Sequence, residues 1–483
     1  MFKTVLLFSL ILLLNTSNAF ASKYSQQGFY DVEHYILENG MNIILKPRHT
    51  AKNVSIRLKV DVGHNHFKCG KKETAHYLEH LLFAGTSKHS ESELDDLIAL
   101  HGGNFNASTH SEFTQYKIDI NSLFFETGLS VLHEIITDSE LSDESIQKTK
   151  DIIYREDGGK LNFFRRKLHQ NEFIASASKL ALNDLLQNAS FLCNDIDNIS
   201  NITRPNITNA FEAYYIPKNM TLSIVGDFKL TDAKKLIEKT MRLIPKSNKP
   251  KSKNITIPKR TTSLDSNHIY YGKFDPIVDS ESIIGVYFLL PSRNHKDSFV
   301  LDILEQYFKT QLFNTIRTDE GLAYAPSADA IFFEQYGVLA LTSDSEIEDA
   351  EKTLKLIHYV TNELLQGKVK KEKFEEAKLK ILIGAASAIE KNADFAEYYA
   401  ENVFDLINYG KIINYEDTIE NVTLNDFKRV AKKYLNASNR VVLISSPTLS
   451  YTQFYLLILI SLISIIFMVT RIVLKNKKHE DSL

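Results

Sequence analysis

The chain carries 57 Lys and Arg against 60 Asp and Glu over 483 residues, a formal net charge of −3. That balance, with no basic stripe in the body, argues against nucleic acid as a partner. Two cysteines, Cys69 and Cys193, are too few for a disulfide scaffold; they either form one bridge in an oxidising compartment or stand as separate thiols.

In chain order, Met1-Phe2-Lys3 and the apolar run Val5 to Leu14, ending at Ala19-Phe20-Ala21, read as a signal peptide over residues 1–21. Residues 22–245 are expected to form a first domain. It opens on Leu37-Glu38-Asn39-Gly40, a turn at Asn39-Gly40 that leads into a strand from Met41 to Leu45. His76-Tyr77-Leu78-Glu79-His80 follows. On a helix, residues four apart share a face, so His76 and His80 present their rings to one point. Two imidazoles, one further carboxylate and an open position make the donor set of a hydrolytic zinc site. Glu79, one step round the helix, can reach the attacking water without being a ligand. Leu78, Leu81, Leu82 and Phe83 supply the apolar face, and Gly85 offers a stop.

The run from Ala75 to Thr86 resembles the signature of the pitrilysin/insulinase zinc peptidases, the inverzincins, which reverse the usual H-E-x-x-H order. The resemblance implies one zinc per chain and a third ligand, a Glu on a separate helix. Glu156 stands 76 positions beyond His80, within Ile152-Ile153-Tyr154-Arg155-Glu156, a plausible helix. Asp157 is the nearest competitor, rotated by about 100° off the same helical face. Glu79 would then be the general base on a zinc-activated water, giving an endopeptidase that cuts short or unfolded polypeptides.

Between the two helices, Gly102 to Thr109 and Phe113 to Tyr116 resemble the family's edge strand. The resemblance makes Asn106 and Ala107 contact residues for an extended peptide added to the sheet. Two positions depart from the family pattern. Glu73 stands where a Gly is usual, three residues before His76. Thr149 stands where many members carry a Glu, seven residues before Glu156.

Residues 246–265, rich in Lys and carrying Pro250 and Pro258, read as a linker. Residues 266–446 read as a degenerate copy of the first domain. Strand-like runs over 268–292 precede a helix through Phe299 to Phe308 that holds the place of the zinc helix and has no His. Ile316-Arg317 to Tyr324 resembles a second family signature. It implies that Arg317 clamps a substrate carbonyl and that Tyr324 hydrogen-bonds the tetrahedral intermediate. Leu356 to Leu365 and Lys371 to Lys391 have helical period, and Val441 to Ile444 reads as a closing strand.

Residues 452–474 read as a transmembrane helix, with Lys475, Lys477 and Lys478 holding the tail, residues 475–483, in the cytoplasm. The catalytic body is thus expected outside the cytoplasm, on the periplasmic face in a Gram-negative cell. The expected fold is α+β: two homologous α/β-sandwich halves, each an antiparallel-rich mixed sheet packed on helices, forming a half-clamshell. A chain with one pair of halves resembles family members that dimerise, with themselves or a related subunit. Two other readings stand beside this one: a non-catalytic peptide-binding subunit of the same fold, and a membrane-tethered binding protein of unrelated fold.

Overall fold

The computed structural model describes residues 28–156, 177–187, 199–249, 264, 268–273 and 277–480. The expected signal peptide, Asp157, Cys193 and most of the 246–265 linker lie outside the described residues.

The first half contributes β1 (Glu33–Ile36), β2 (Asn42–Pro47), β3 (Asn53–Val60), α1 (Thr74–Phe83), α2 (Glu91–Ala99), β4 (Asn104–Thr109), β5 (Thr114–Asn121), α3 (Phe125–Thr137), α4 (Asp143–Glu156), α5 (Ala177–Leu185), α6 (Arg204–Tyr214), β6 (Met220–Gly226) and α7 (Leu230–Lys239). Its strands form one sheet in the order β1-β2-β6-β3-β5-β4, with β2 and β6 parallel and the other neighbours antiparallel. The expected turn joins β1 to β2, and Gly40 adopts the positive φ, +100°, that the turn requires.

The second half contributes β7 (Ile269–Lys273), β8 (Glu281–Leu290), α8 (Ser298–Leu312), β9 (Ser327–Phe332), β10 (Gly337–Glu346), α9 (Ala350–Leu365), α10 (Lys371–Ala388), α11 (Asn392–Glu401), α12 (Val403–Tyr409), α13 (Tyr415–Asn421), α14 (Leu424–Tyr434) and β11 (Arg440–Ser446). The order β7-β11-β8-β10-β9 repeats β2-β6-β3-β5-β4 strand for strand, including the single parallel pair. This shared winding bears out the expectation of two homologous halves, with α8 in the place of α1.

Both sheets are covered on two faces. In β3, Val54, Ile56, Leu58 and Val60 alternate toward a core shared with α1 and α3. Helix α3 approaches closely because Gly128 lies against Ile56, Ile118 and Ile120, where an added Cβ would come within 3.1–3.4 Å. On the opposite face, Ile44 and Val225 meet Phe395, Ala396 and Tyr399 of α11, a helix from the second half. The reciprocal contact also exists: Ala181 and Leu185 of α5, from the first half, pack on Val338, Val441 and Leu443 of the second sheet. Each half therefore lends a helix to the other's sheet, and neither sheet is fully covered by its own half. Tyr399 donates its hydroxyl to the carbonyl of Phe29 at 2.6 Å within this interlock.

Beyond β11, α15 (Tyr451–Glu480) leaves the body. Its stretch Tyr451–Leu474 has a mean hydropathy of 2.7 and none of it is buried against the protein. A predominantly apolar stretch of 24 residues is long enough to cross a bilayer.

Candidate active site

Helix α1 buries Ala75, Tyr77, Leu78, Leu81 and Leu82 in the first core. That burial fixes its rotation and turns His76 and His80 outward along one stripe. Helix α4 is anchored similarly, by Thr149 and Ile153. Glu156, at the helix's last position, lies close to the same face, three residues beyond Ile153, and so arrives over α1.

The result is a triangle of donor atoms. His76 Nε2 lies 3.1 Å from His80 Nε2, and each lies 3.3 Å from Glu156 Oε2. His76 Nδ1 is 3.1 Å from Glu73 Oε2, so its ring proton is committed there and the Nε2 lone pair faces the triangle. A lone pair 3.3 Å from a carboxylate oxygen is repulsive unless a cation lies between them. Four ligands around zinc at about 2.0–2.1 Å stand roughly 3.3 Å from one another. The residues therefore fit a tetrahedral zinc site by both donor type and spacing.

Electrostatics point the same way. Burial pushes the His76 imidazole down, but the Glu73 hydrogen bond and the charges of Glu79, Glu73 and Glu156 outweigh it and hold it above its ordinary value. For Glu73, burial acts to raise the carboxyl; the His76 hydrogen bond and the charges of His64 and His76 prevail and hold it low. The pocket thus favours positive charge. His64 is the exception: burial is its largest influence and lowers it.

Glu79 is buried, 9% exposed, and accepts a hydrogen bond from Thr109 Oγ1 at 2.5 Å. Thr109 ends β4, whose outer side has no strand neighbour among the described residues, as expected for the edge. Asn106 and Ala107 lie on that edge; Asn106 Oδ1 accepts from the Ala107 amide at 2.8 Å. Arg317 and Tyr324 are brought to each other. Arg317 occupies a π-helical segment, Phe313–Asp319, and donates to the Tyr324 carbonyl at 2.6 Å while its guanidinium lies 4.5 Å over the Tyr324 ring. Tyr324 is 75% exposed. No described contact joins this pair to the histidine triangle.

Sequence reasoning missed the Thr109–Glu79 bond, which pairs positions 30 residues apart with no periodic signal. It also left Glu73 without a role, although its spacing of three from His76 is the helical signal that could have found it. Cys69 is disulfide-bonded.

Residues 42–172 match the insulinase model of peptidase family M16, and residues 201–381 match the model of the M16 inactive domain. An uncharacterised zinc protease of Rickettsia bellii is 23% identical over 426 residues, covering 86% of this chain and 97% of that one. The solved structure of a protease from Helicobacter pylori superposes with a TM-score of 0.72 at 20% identity, covering 86% of this chain and 100% of the other. The periplasmic protease PqqL from Escherichia coli superposes with a TM-score of 0.65 at 16% identity; 86% of this chain is covered, but only 47% of that one. With the two family models together matching residues 42–172 and 201–381, well over half of its length, the chain belongs to the insulinase family, peptidase family M16.

Proposed function

We propose that the protein is a zinc endopeptidase acting on short or unfolded polypeptides, with His76, His80 and Glu156 as metal ligands and Glu79 as general base. The observation that carries this reading is the convergence of three donor atoms, from two separate helices, at 3.1–3.3 Å. A bound zinc supplies Lewis-acid charge at a scissile carbonyl and makes water a competent nucleophile near neutral pH.

The chain's own residues do the rest. The free edge of β4 takes an extended peptide by backbone hydrogen bonding, with Asn106 and Ala107 as contact positions. Glu79 accepts the proton of the attacking water and delivers it to the leaving amine. Thr109 orients that carboxylate from the same strand that holds the substrate, so binding and proton transfer share one element. Arg317 holds a substrate carbonyl, and the Tyr324 hydroxyl donates to the developing oxyanion.

Residues 22–245 and 266–446 are proposed as the peptidase domain and its inactive repeat, joined by 246–265. Residues 452–474 are proposed as a single membrane anchor, with the body on the face away from Lys475, Lys477 and Lys478. Since the chain matches about half of PqqL, a second copy or a related subunit is proposed to complete the chamber.

The test is cleavage of an unfolded fluorogenic peptide by the full chain in detergent, alongside Glu79→Gln. Zinc-dependent cleavage by the wild type, lost in the Gln variant, is expected. A zinc-loaded wild type that binds peptide without cutting it, alone or with a partner subunit, would favour the non-catalytic reading.

A further inference from the structure

The residue that begins the zinc helix has the wrong behaviour for its position. Glu73 is the N-cap of α1, where a side chain ordinarily accepts from the free amides of the first turn. Its carboxylate makes no such bond. It turns instead toward two imidazoles: Oε2 lies 3.1 Å from His76 Nδ1, and Oε1 lies 3.7 Å from His64 Nδ1. His64 is itself tied to the same segment, its Nδ1 standing 3.2 Å from the Lys72 carbonyl. The His64 and His76 rings are 6.2 Å apart, centre to centre, and the hydrogen bond of Glu73 goes to His76.

Two physical consequences follow. A hydrogen bond to Nδ1 fixes the tautomer of His76 and its ring rotation, so that only Nε2 is offered to the triangle. A carboxylate partner also makes that nitrogen a stronger donor to a cation. Thr149, buried at 2% exposure on the third-ligand helix, has no carboxylate to give. Glu73 is thus the carboxylate the described contacts place on His76 Nδ1.

We propose that Glu73 is a positioning residue for zinc: it fixes the ring of His76 through Nδ1. This rests on the reading of His76, His80 and Glu156 as ligands.

The test measures zinc affinity, by chelator competition, and the visible spectrum of the cobalt-substituted protein, for full-length wild type, Glu73→Ala and Glu73→Gln. Loss of an outer partner of this kind typically weakens metal binding about 10–100-fold. Glu73→Ala is expected in that range with a changed cobalt spectrum. Glu73→Gln, which keeps an acceptor oxygen without the charge, should fall between it and wild type. The thermal midpoint of the metal-free Ala variant should stay near that of metal-free wild type, which separates positioning from folding. Wild-type affinity in both variants, with one zinc bound per chain, would overturn the role of Glu73 alone. So would a lowered metal-free midpoint with unchanged affinity. A wild type that binds no stoichiometric zinc would overturn the ligand reading together with it.

Discussion

The hydroxyl of Thr109 donates to the carboxylate of Glu79 at 2.5 Å, tying the end of the open edge strand to the acid beside the histidine pair. Because Glu79 is buried, losing this donor leaves part of a carboxylate unsatisfied, and a hydrogen bond to a charged group is worth about 1.5–3 kcal/mol. Thr109→Val should therefore lower kcat by roughly 10–100-fold, with KM changed much less. Thr109→Ser, which keeps the hydroxyl, should recover most of the rate. Steady-state kinetics on one peptide decide it; equal losses in Val and Ser variants would count against an orienting role.

A second prediction concerns pH. Glu112, in the turn between β4 and β5, accepts at 2.7 Å from the amide of Glu334, in the turn between β9 and β10. This contact joins the matching hairpins of the two halves. Burial pushes the Glu112 carboxyl up to about 7; the Glu334 amide hydrogen bond and Lys59 oppose the shift, and the Glu334 and Asp61 charges add to it. A carboxyl raised on folding stabilises fully below its unfolded value near 4.5, and that contribution is lost as pH rises through about 7. Glu112→Gln keeps the acceptor and removes the titration. Wild type should gain stability relative to Glu112→Gln as pH falls from 8 to 5, read as the difference in thermal midpoint. A pH-independent difference would contradict the assigned shift.

The exchanged helices make a third. Phe395, 1% exposed, packs against Phe29 with ring centres 5.1 Å apart and carries the Arg48 guanidinium 4.3 Å above its ring. Truncating a buried Phe typically costs about 3–5 kcal/mol. Since α11 covers the first half's sheet, Phe395→Ala should destabilise the first half, although the residue lies in the second. Hydrogen exchange in β2 and β6 reads this directly: their amides should lose protection. Exchange faster only in the second half would show the halves to be independent.

Tyr324 supplies the fourth. Its ring packs under Arg317 while most of the side chain is exposed. Tyr324→Phe retains that packing and removes only the hydroxyl. If the phenol donates to the oxyanion, kcat should fall about 100-fold or more, the usual scale for one such donor, with little change in thermal stability. An unchanged kcat would remove Tyr324 from the chemistry.

Much of this site was legible before the structure because it is helical and local. The spacing of four between His76 and His80 sets their shared face, and the period of Ile152 to Glu156 puts the third acid on a helix. The Asn39-Gly40 turn and the missing histidines of α8 were readable locally too, whereas the edge position of β4 came only from the family resemblance. The interlock of α5 and α11 was not. Amphipathic periodicity says that Phe395 and Leu185 face something apolar, but not which sheet it belongs to. Nor was the parallel pairing of β2 with β6 legible, although the repeat of the two halves was, since those strands are separated by more than 170 residues of intervening chain. Thr109 escaped because its partner is set by tertiary packing. The self-contact of Arg317 with the Tyr324 backbone escaped because sequence similarity suggests roles without showing which contacts are made before substrate arrives.

The most direct measurement is zinc stoichiometry in the purified full-length protein, comparing wild type with Glu156→Ala and Glu79→Gln after dialysis against a mild chelator. About one zinc per chain is expected in wild type and in Glu79→Gln, and a small fraction of that in Glu156→Ala, whose triangle lacks one corner. Full occupancy in Glu156→Ala, or no stoichiometric zinc in wild type, would contradict the metal site at the centre of this account.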